Sequence, residues 1–232
     1  MTKGTVEFGS KKIEYSLVFN HRKTLGITVT PDLEVLVKAP SGASPEKIKQ
    51  VVRKRTPWIL KQKEFFLAFY PKQPAKRYVG GETHLYLGKQ YRLRVRKGKT
   101  ESVRLYGKYF RVVCRKPSNV KGLLTEWYWF HAELKFEEIL GEWIPRFNNI
   151  GVEPSGIKLR EMPKRWGSCT PKGRIILNPE LIKAPRKCIE YVIIHELCHL
   201  VHRNHSRKFI ELQTKVMPDW ELWKNRLEKL LA

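Results

Sequence analysis

The sequence predicts an α+β fold in which a strand-rich N-terminal half packs on a helix-rich C-terminal half. Three observations carry this expectation. Apolar and polar residues alternate in short runs up to residue 117, long stretches of helical periodicity follow from residue 118, and nothing between them has the composition of a flexible linker. The expected organisation is a strand-rich region over 1–117 with one basic helix and a second region over 118–232, standing either as two regions or as one continuous domain. With 232 residues, 41% of them hydrophobic, the chain has ample material for a buried core.

In chain order, "KIEYSLVFN" (12–20), "LGITVTP" (25–31) and "LEVLVKAP" (33–40) alternate with period two and predict three antiparallel strands, with Pro31 and Asp32 at a hairpin turn. Ser44 before Pro45 and Glu46 signals a helix start. Ile48, Val51, Val52, Trp58 and Ile59 then mark a buried helical face, with a break or restart expected at Pro57. The opposite face carries Lys47, Lys49, Arg53, Lys54, Arg55, Lys61 and Lys63, a solvated face or an anion-docking one. Past the loop "YPKQPAKRYVGGE", the strand "YRLRVRKGK" turns Leu93 and Val95 inward and Arg92, Arg94 and Arg96 outward.

From Ser118 the pattern is helical, with Trp127, Phe130, Leu134, Ile139 and Trp143 expected on the buried side and an end between Pro145 and Gly151. A strand "IKLREM", a polar turn "PKRWGSCTPKG", a strand "RIILN" and helix starts at Pro179 and Pro185 follow. No internal repeat is evident.

Lys and Arg number 46 against 22 Asp and Glu, for a formal charge of +24. Such a field attracts nucleotides, nucleic acid or acidic proteins. The N-terminus lacks the apolar core of a secretory signal, and no apolar run approaches the roughly 18 residues that would cross a bilayer. Cys114, Cys169, Cys188 and Cys198 are scattered without CxxC spacing. A cytoplasmic protein with free thiols and no membrane partner is expected.

Four of the seven histidines fall within residues 195–205. His195, Glu196 and His199 form an HExxH pattern inside a helical, apolar segment. Positions four apart on a helix lie one above the other, so the two imidazoles converge on one cation, and Glu196 lies beside it as a base for its water. A catalytic zinc needs three protein ligands and an open position, so one Zn2+ per chain is expected. His202 would sit about 10 Å along the axis from His195, beyond the level of the pair. A left-handed Asn204 would end the helix and swing His205 back as third ligand, leaving His202 behind the site or at the surface. Ser206 would cap a following helix carrying Phe209, Leu212 and Val216 inward and stopped at Pro218. Cys198 points away as a small buried thiol.

The spacing HELCHLVHRNH follows the metzincin pattern except that His202 stands where metzincins carry glycine. Taken with "KRWGSC", "GRIILN", "NHSRKF" and "MPDW", the chain from about residue 15 onward closely resembles the YgjP-like metallopeptidase family, relatives of SprT-like and WLM zinc metalloproteases. The resemblance implies a zincin-like C-terminal core, ligands His195, His199 and His205, and a catalytic Glu196. It also implies that Trp166, Gly167, Ser168 and Cys169 lie beside the active-site helix. As in zincins generally, "GRIILN" is expected to offer backbone bonds to an extended polypeptide substrate. The candidate substrate-binding set is Arg165, Trp166, Gly167, Ser168, Arg174 and Asn178, with Met217 either a hydrophobic floor below the metal or core packing. The expected activity is zinc-dependent peptide hydrolysis of the gluzincin-like HExxH type. Two alternatives stand beside it. One is a nucleoside triphosphate (UTP) pyrophosphatase, as some family members are held to be, with Arg160, Arg165 and Arg174 clamping phosphates. The other is a nucleic-acid-associated, SprT-like protease drawn to its partner by the basic surface.

Overall fold

The computed structural model describes residues 2–9, 11–22, 24–30, 32–67, 76–163 and 165–231. The chain divides into two compact units, Met1–Pro74 and Ala75–Leu231. No helix among the described residues is long and apolar enough to cross a membrane.

The first unit has strands β1 (Thr2–Phe8), β2 (Lys11–Asn20), β3 (Gly26–Val29) and β4 (Val35–Pro40), followed by helix α1 (Pro45–Leu67). The sheet order is β1-β2-β4-β3. The outer pairs are antiparallel, but β2 and β4 run parallel, which corrects the expected antiparallel triplet. The cause is that β3 folds back onto the far side of β4, leaving β2 to pair with β4 directly. Strand β1 was not foreseen, because only Val6 of its residues is buried. Of the expected hairpin turn, Pro31 lies outside the described residues; beside it, Thr30 N donates to Glu34 O at 2.8 Å and Leu33 N to Thr30 O at 2.9 Å.

Lys47 N donates to Ser44 Oγ at 3.3 Å, so Ser44 starts α1 as expected. The helix does not break at Pro57. Ile48, Val52 and Ile59 pack with Ile13, Tyr15, Val37 and Ala39 in one core, which holds the turns on both sides of the proline in line. Trp58, expected on that face, is exposed.

In the second unit, β5 (Thr83–Tyr86), β6 (Lys89–Lys97), β7 (Ser102–Tyr106) and β8 (Tyr109–Cys114) lead through a 3-10 turn into α2 (Val120–Asn148). Their order is β5-β6-β8-β7, again with a parallel central pair between antiparallel outer pairs. The same four-strand-then-helix topology therefore occurs twice, although the sequence shows no repeat. The break expected at 117/118 falls inside this unit. Leu93, Phe110 and Val112 share one core with Leu124 and Tyr128, and Tyr128 Oη donates to Leu85 O at 2.7 Å, which ties the sheet to α2.

The buried row of α2 is Val120, Leu124, Tyr128, Ala132, Phe136, Ile139, Leu140 and Phe147. Ile139 lies there as expected and Trp127 and Trp143 are half-buried, whereas Phe130 and Leu134 are exposed. The helix bears large apolar groups on more than one side, so side-chain size alone misplaces its stripe.

A small sheet of β9 (Ile157–Leu159), β10 (Gly167–Cys169) and β11 (Ile175–Leu177) follows in the order β10-β11-β9. A 3-10 turn (Pro179–Lys183) then leads into α3 (Arg186–Val201), α4 (Arg207–Val216) and α5 (Trp220–Leu231). The β5–β6 turn docks on that lead-in. Leu87 N donates to Ile182 O at 2.9 Å and Gly88 N to Lys183 O at 3.0 Å. Both turn residues have positive φ, +48° for Leu87 and +77° for Gly88. A Cβ at Gly88 would lie 2.7 Å from Pro185 Cγ, so glycine is required there.

Candidate metal centre

Helix α3 is buried along most of its length through residues such as Ile189, Val192, Ile193 and Leu197, which fixes the direction of its polar positions. His195 and His199 sit one turn apart with ring centroids 4.8 Å from each other. The helix stops at Val201 because His202 is extended, at φ −126° and ψ 105°. Asn204 is not among the described residues with positive φ, so the chain bends at Arg203 and Asn204 without the left-handed residue expected there. The reversal nevertheless returns His205 to the pair, with ring centroids 5.0 Å from His195 and 4.6 Å from His199. One ligand atom from each of the three histidines lies within 4.8 Å of the others. His202 contributes its backbone, since His199 Nδ1 donates to its carbonyl at 3.3 Å. Ser206 precedes α4 but makes no capping bond with its side chain.

Helix α4 supports the cluster from its far side. The Phe209 ring stands 5.0, 4.6 and 4.9 Å from those of His195, His199 and His205. Phe209 is thus the apolar floor; Met217 is buried at the end of α4. One turn beyond Phe209, buried Gln213 accepts the His195 Nδ1 proton at 2.9 Å. That bond directs the other ring nitrogen inward, where His195 Nε2 faces His205 Nε2 at 3.1 Å. Burial pushes the His195 pKa down to about 4 and lowers that of His199 as well, so both rings are neutral and offer lone pairs near neutral pH. Ring nitrogens converging in this way fit a single divalent cation, and three imidazoles suit zinc.

Glu196 is buried beside this cluster, and burial raises its carboxyl pKa to about 7 against the opposing pull of Arg165. Gly167 on β10 makes room for it. A Cβ there would lie 2.6 Å from Glu196 Oε1 and 2.9 Å from Val192 Cγ1. A cleft of about 700 Å³ opens over these groups, lined by residues 165–171 together with Tyr191, Leu200 and Arg203.

Arg165, Trp166, Gly167 and Ser168 line the cleft, but Arg174 and Asn178 do not. Asn178 is buried and its amide is spent on backbone: Nδ2 donates to Met162 O at 2.9 Å and Arg165 O at 3.3 Å, while Oδ1 accepts from Glu180 N at 3.1 Å. It ties the Met162 and Arg165 carbonyls to the start of the 3-10 turn. Arg174 is exposed at the end of a turn closed by its own N–H on Thr170 Oγ1. Arg160 also lies outside the cleft lining, whereas Arg203, not foreseen, is part of it.

The small sheet reassigns the strand expected to meet substrate. "GRIILN" supplies β11, the central strand, with β10 on one side and β9 on the other. Strand β10 is at the edge, where "GSC", lacking apolar alternation, predicts a turn instead. Gln213 and Phe209 were also missed as parts of the site. Their signal was their spacing of four on the helix that follows His205. Cys198 is a buried thiol pushed up to about 12, as expected of a group facing away.

A family profile described as YgjP-like, metallopeptidase domain, matches residues 23–230. No curated protein matches the chain. Among solved structures, the metallopeptidase zymogen abylysin of Pyrococcus abyssi is 22% identical, with 41% of this chain and 94% of that one covered at a TM-score of 0.38. The zymogen jannalysin of Methanocaldococcus jannaschii is also 22% identical, covering 38% and 90% at a TM-score of 0.32. Because the family profile spans nearly its whole length, this chain belongs to the YgjP-like metallopeptidase family and is a hydrolase of the metallopeptidase type.

Proposed function

We propose that the chain is a zinc-dependent peptidase in which His195, His199 and His205 hold one Zn2+ and Glu196 is the general base. The observation that carries this reading is the convergence of the three imidazoles beside a buried carboxyl whose pKa is about 7. A zinc ion held by these three rings would supply Lewis acidity to a water and to the scissile carbonyl. Gln213 and the His202 carbonyl keep two rings in the tautomer that leaves Nε2 free. Phe209 keeps water from the back of the cluster. Glu196 takes a proton from the attacking water onto its carboxylate and returns it to the leaving amine, a shuttle suited to a pKa near the working pH. The free edge of β10 gives an extended polypeptide a strand to pair with, across the cleft from α3. The four free cysteines support a reducing, cytoplasmic setting.

The test is hydrolysis of a mixed peptide library by zinc-loaded protein, with Glu196→Gln alongside. The variant is expected to keep its zinc and lose about 10²–10⁴-fold in turnover. Undiminished cleavage by it removes Glu196 from the mechanism. A second reading, hydrolysis of a nucleoside triphosphate, is favoured by the two guanidinium groups of Arg165 and Arg203 on the cleft lining. UTP assayed in parallel decides it, because pyrophosphate release without peptide cleavage transfers the same machinery to a phosphoanhydride.

A further inference from the structure

We propose that the outer face of the β5–β8 sheet is a binding surface for single-stranded nucleic acid. The strand register sets this face row by row. Arg92, Tyr109 and Tyr106 lie side by side across β6, β8 and β7; Arg94, Arg111 and Arg104 form the next row; Arg96, Val113 and Ser102 the third. Thr83 and Leu85 of β5 join it opposite Arg92 and Gln90. All five arginines are exposed, and the register places no carboxylate among them. The nearest acid along the strands' connections, Glu101, is engaged by Arg115 N at 3.0 Å and Asn119 Nδ2 at 2.8 Å. The other side of the sheet is core, with Leu93, Phe110 and Val112 buried.

Three arginines abreast are unfavourable, since like charges on adjacent strands stand only about 5 Å apart at the backbone and repel. Part of this is relieved within the protein: Arg94 stacks over Tyr109 at 3.5 Å and Arg111 over Tyr106 at 4.5 Å. The net positive charge remains, and an anionic polymer is its complement. Along β6 the outward arginines recur roughly every 7 Å, near the repeat of an extended polynucleotide backbone. Guanidinium planes and tyrosine rings offer stacking surfaces to bases, and Tyr106 is 66% exposed. Only unpaired bases present their faces, and a four-stranded sheet is too broad for a duplex groove that admits a helix or a two-stranded ribbon.

The sheet of the first unit shows that this face does not follow from general basicity. Its outward register carries Lys3, Lys12 and Lys38 but also Glu7 and Glu14, with Glu7 directly opposite Lys12. The arginine face is independent of the peptidase reading, because it uses no residue of the cleft.

The experiment is fluorescence anisotropy with the full chain and a labelled 12-nucleotide mixed-sequence strand, as RNA, as DNA and as the matching DNA duplex, over a range of salt. Either single strand is expected to bind more tightly than the duplex, and the RNA and DNA arms identify which. The slope of log K against log salt is expected between about −2 and −3.5 for three to five neutralised phosphates. R94Q/R111Q should weaken binding at least tenfold and flatten the slope by about 1.4. Tyr106→Ala should weaken it about tenfold with the slope unchanged. K12Q/K38Q, on the first unit's sheet, should bind as the parent does. A duplex bound as tightly as the single strands, equal losses in K12Q/K38Q and R94Q/R111Q, or no binding at low salt overturns the proposal.

Discussion

Both units place four strands in the same order and follow them with a helix, yet they bury different groups. Among the described residues of the first unit, the buried polar side chain is Thr56, whose hydroxyl donates to Val52 O at 3.1 Å. The second unit buries His84, Asn178, Glu190, Glu196 and Gln213. Most of these serve as braces. His84 meets Glu82, Glu190 takes Arg186 and Lys187, Asn178 ties two carbonyls to a 3-10 turn, and Gln213 orients a ligand ring. Glu196 differs, because it is kept near its own protonation point. Shared topology thus says little about what a unit does; the polar groups it consents to bury say more.

The sharpest way to break this contrast uses one tight glycine from each unit. At Gly167 an added Cβ meets the Glu196 carboxyl, so Gly167→Ala is expected to displace the base and lower peptide turnover about 100-fold. At Gly4 the Cβ would lie 2.4 Å from the Tyr15 ring, inside the first unit. Gly4→Ala should cost about 1 kcal/mol of stability and leave kcat/KM unchanged. A comparable loss of turnover in both variants would mean that the units are not functionally separate.

A second prediction concerns pH. Burial raises the Glu196 pKa from 4.5 unfolded to about 7 folded, so the folded state retains a proton that the unfolded state has lost across that window. The stability of the parent relative to Glu196→Gln is therefore full below pH 4.5 and falls as pH rises through 7. In denaturant titrations of metal-stripped protein, Glu196→Gln should gain about 3 kcal/mol on the parent above pH 7, relative to their difference at pH 4. A difference that does not change with pH would show that this carboxyl is not held at a cost.

The smallest effect belongs to the first unit. Thr56→Val should lose about 1 kcal/mol through one helix-internal hydrogen bond, equally at every pH, with turnover unaffected. A pH-dependent loss there would blur the distinction between the two units.

How much of this was legible beforehand depended on the range of the interaction. The pair His195 and His199, with Glu196 beside it, follows from helical periodicity over five residues, and His205 from the need for a third ligand. The alternation of Leu93 and Val95 with three arginines likewise reads directly as one strand with two faces. Strand β10 could not be read that way: its three residues are held by pairing with β11, which is remote information. The same holds for the parallel pair β2–β4 and for the doubled topology, since strand order arises from long-range hydrogen bonds that no local pattern encodes. In α2, Tyr128 and Ala132 take buried positions while Phe130 does not, because the neighbouring sheet and helices decide which side is covered.

The turn at Leu87 and Gly88 has a consequence for how the molecule opens. A leucine at positive φ is strained on its own, and here it is held by bonds to the segment that leads into α3. The lead-in has its own support in the Asn178 bonds and in buried Leu181 and Ile182, so the dependence runs from the hairpin to the lead-in. Opening of the segment that leads into α3 is therefore expected to release the strained turn and loosen the arginine-bearing sheet, which couples the root of the histidine helix to the hairpin that rests on it.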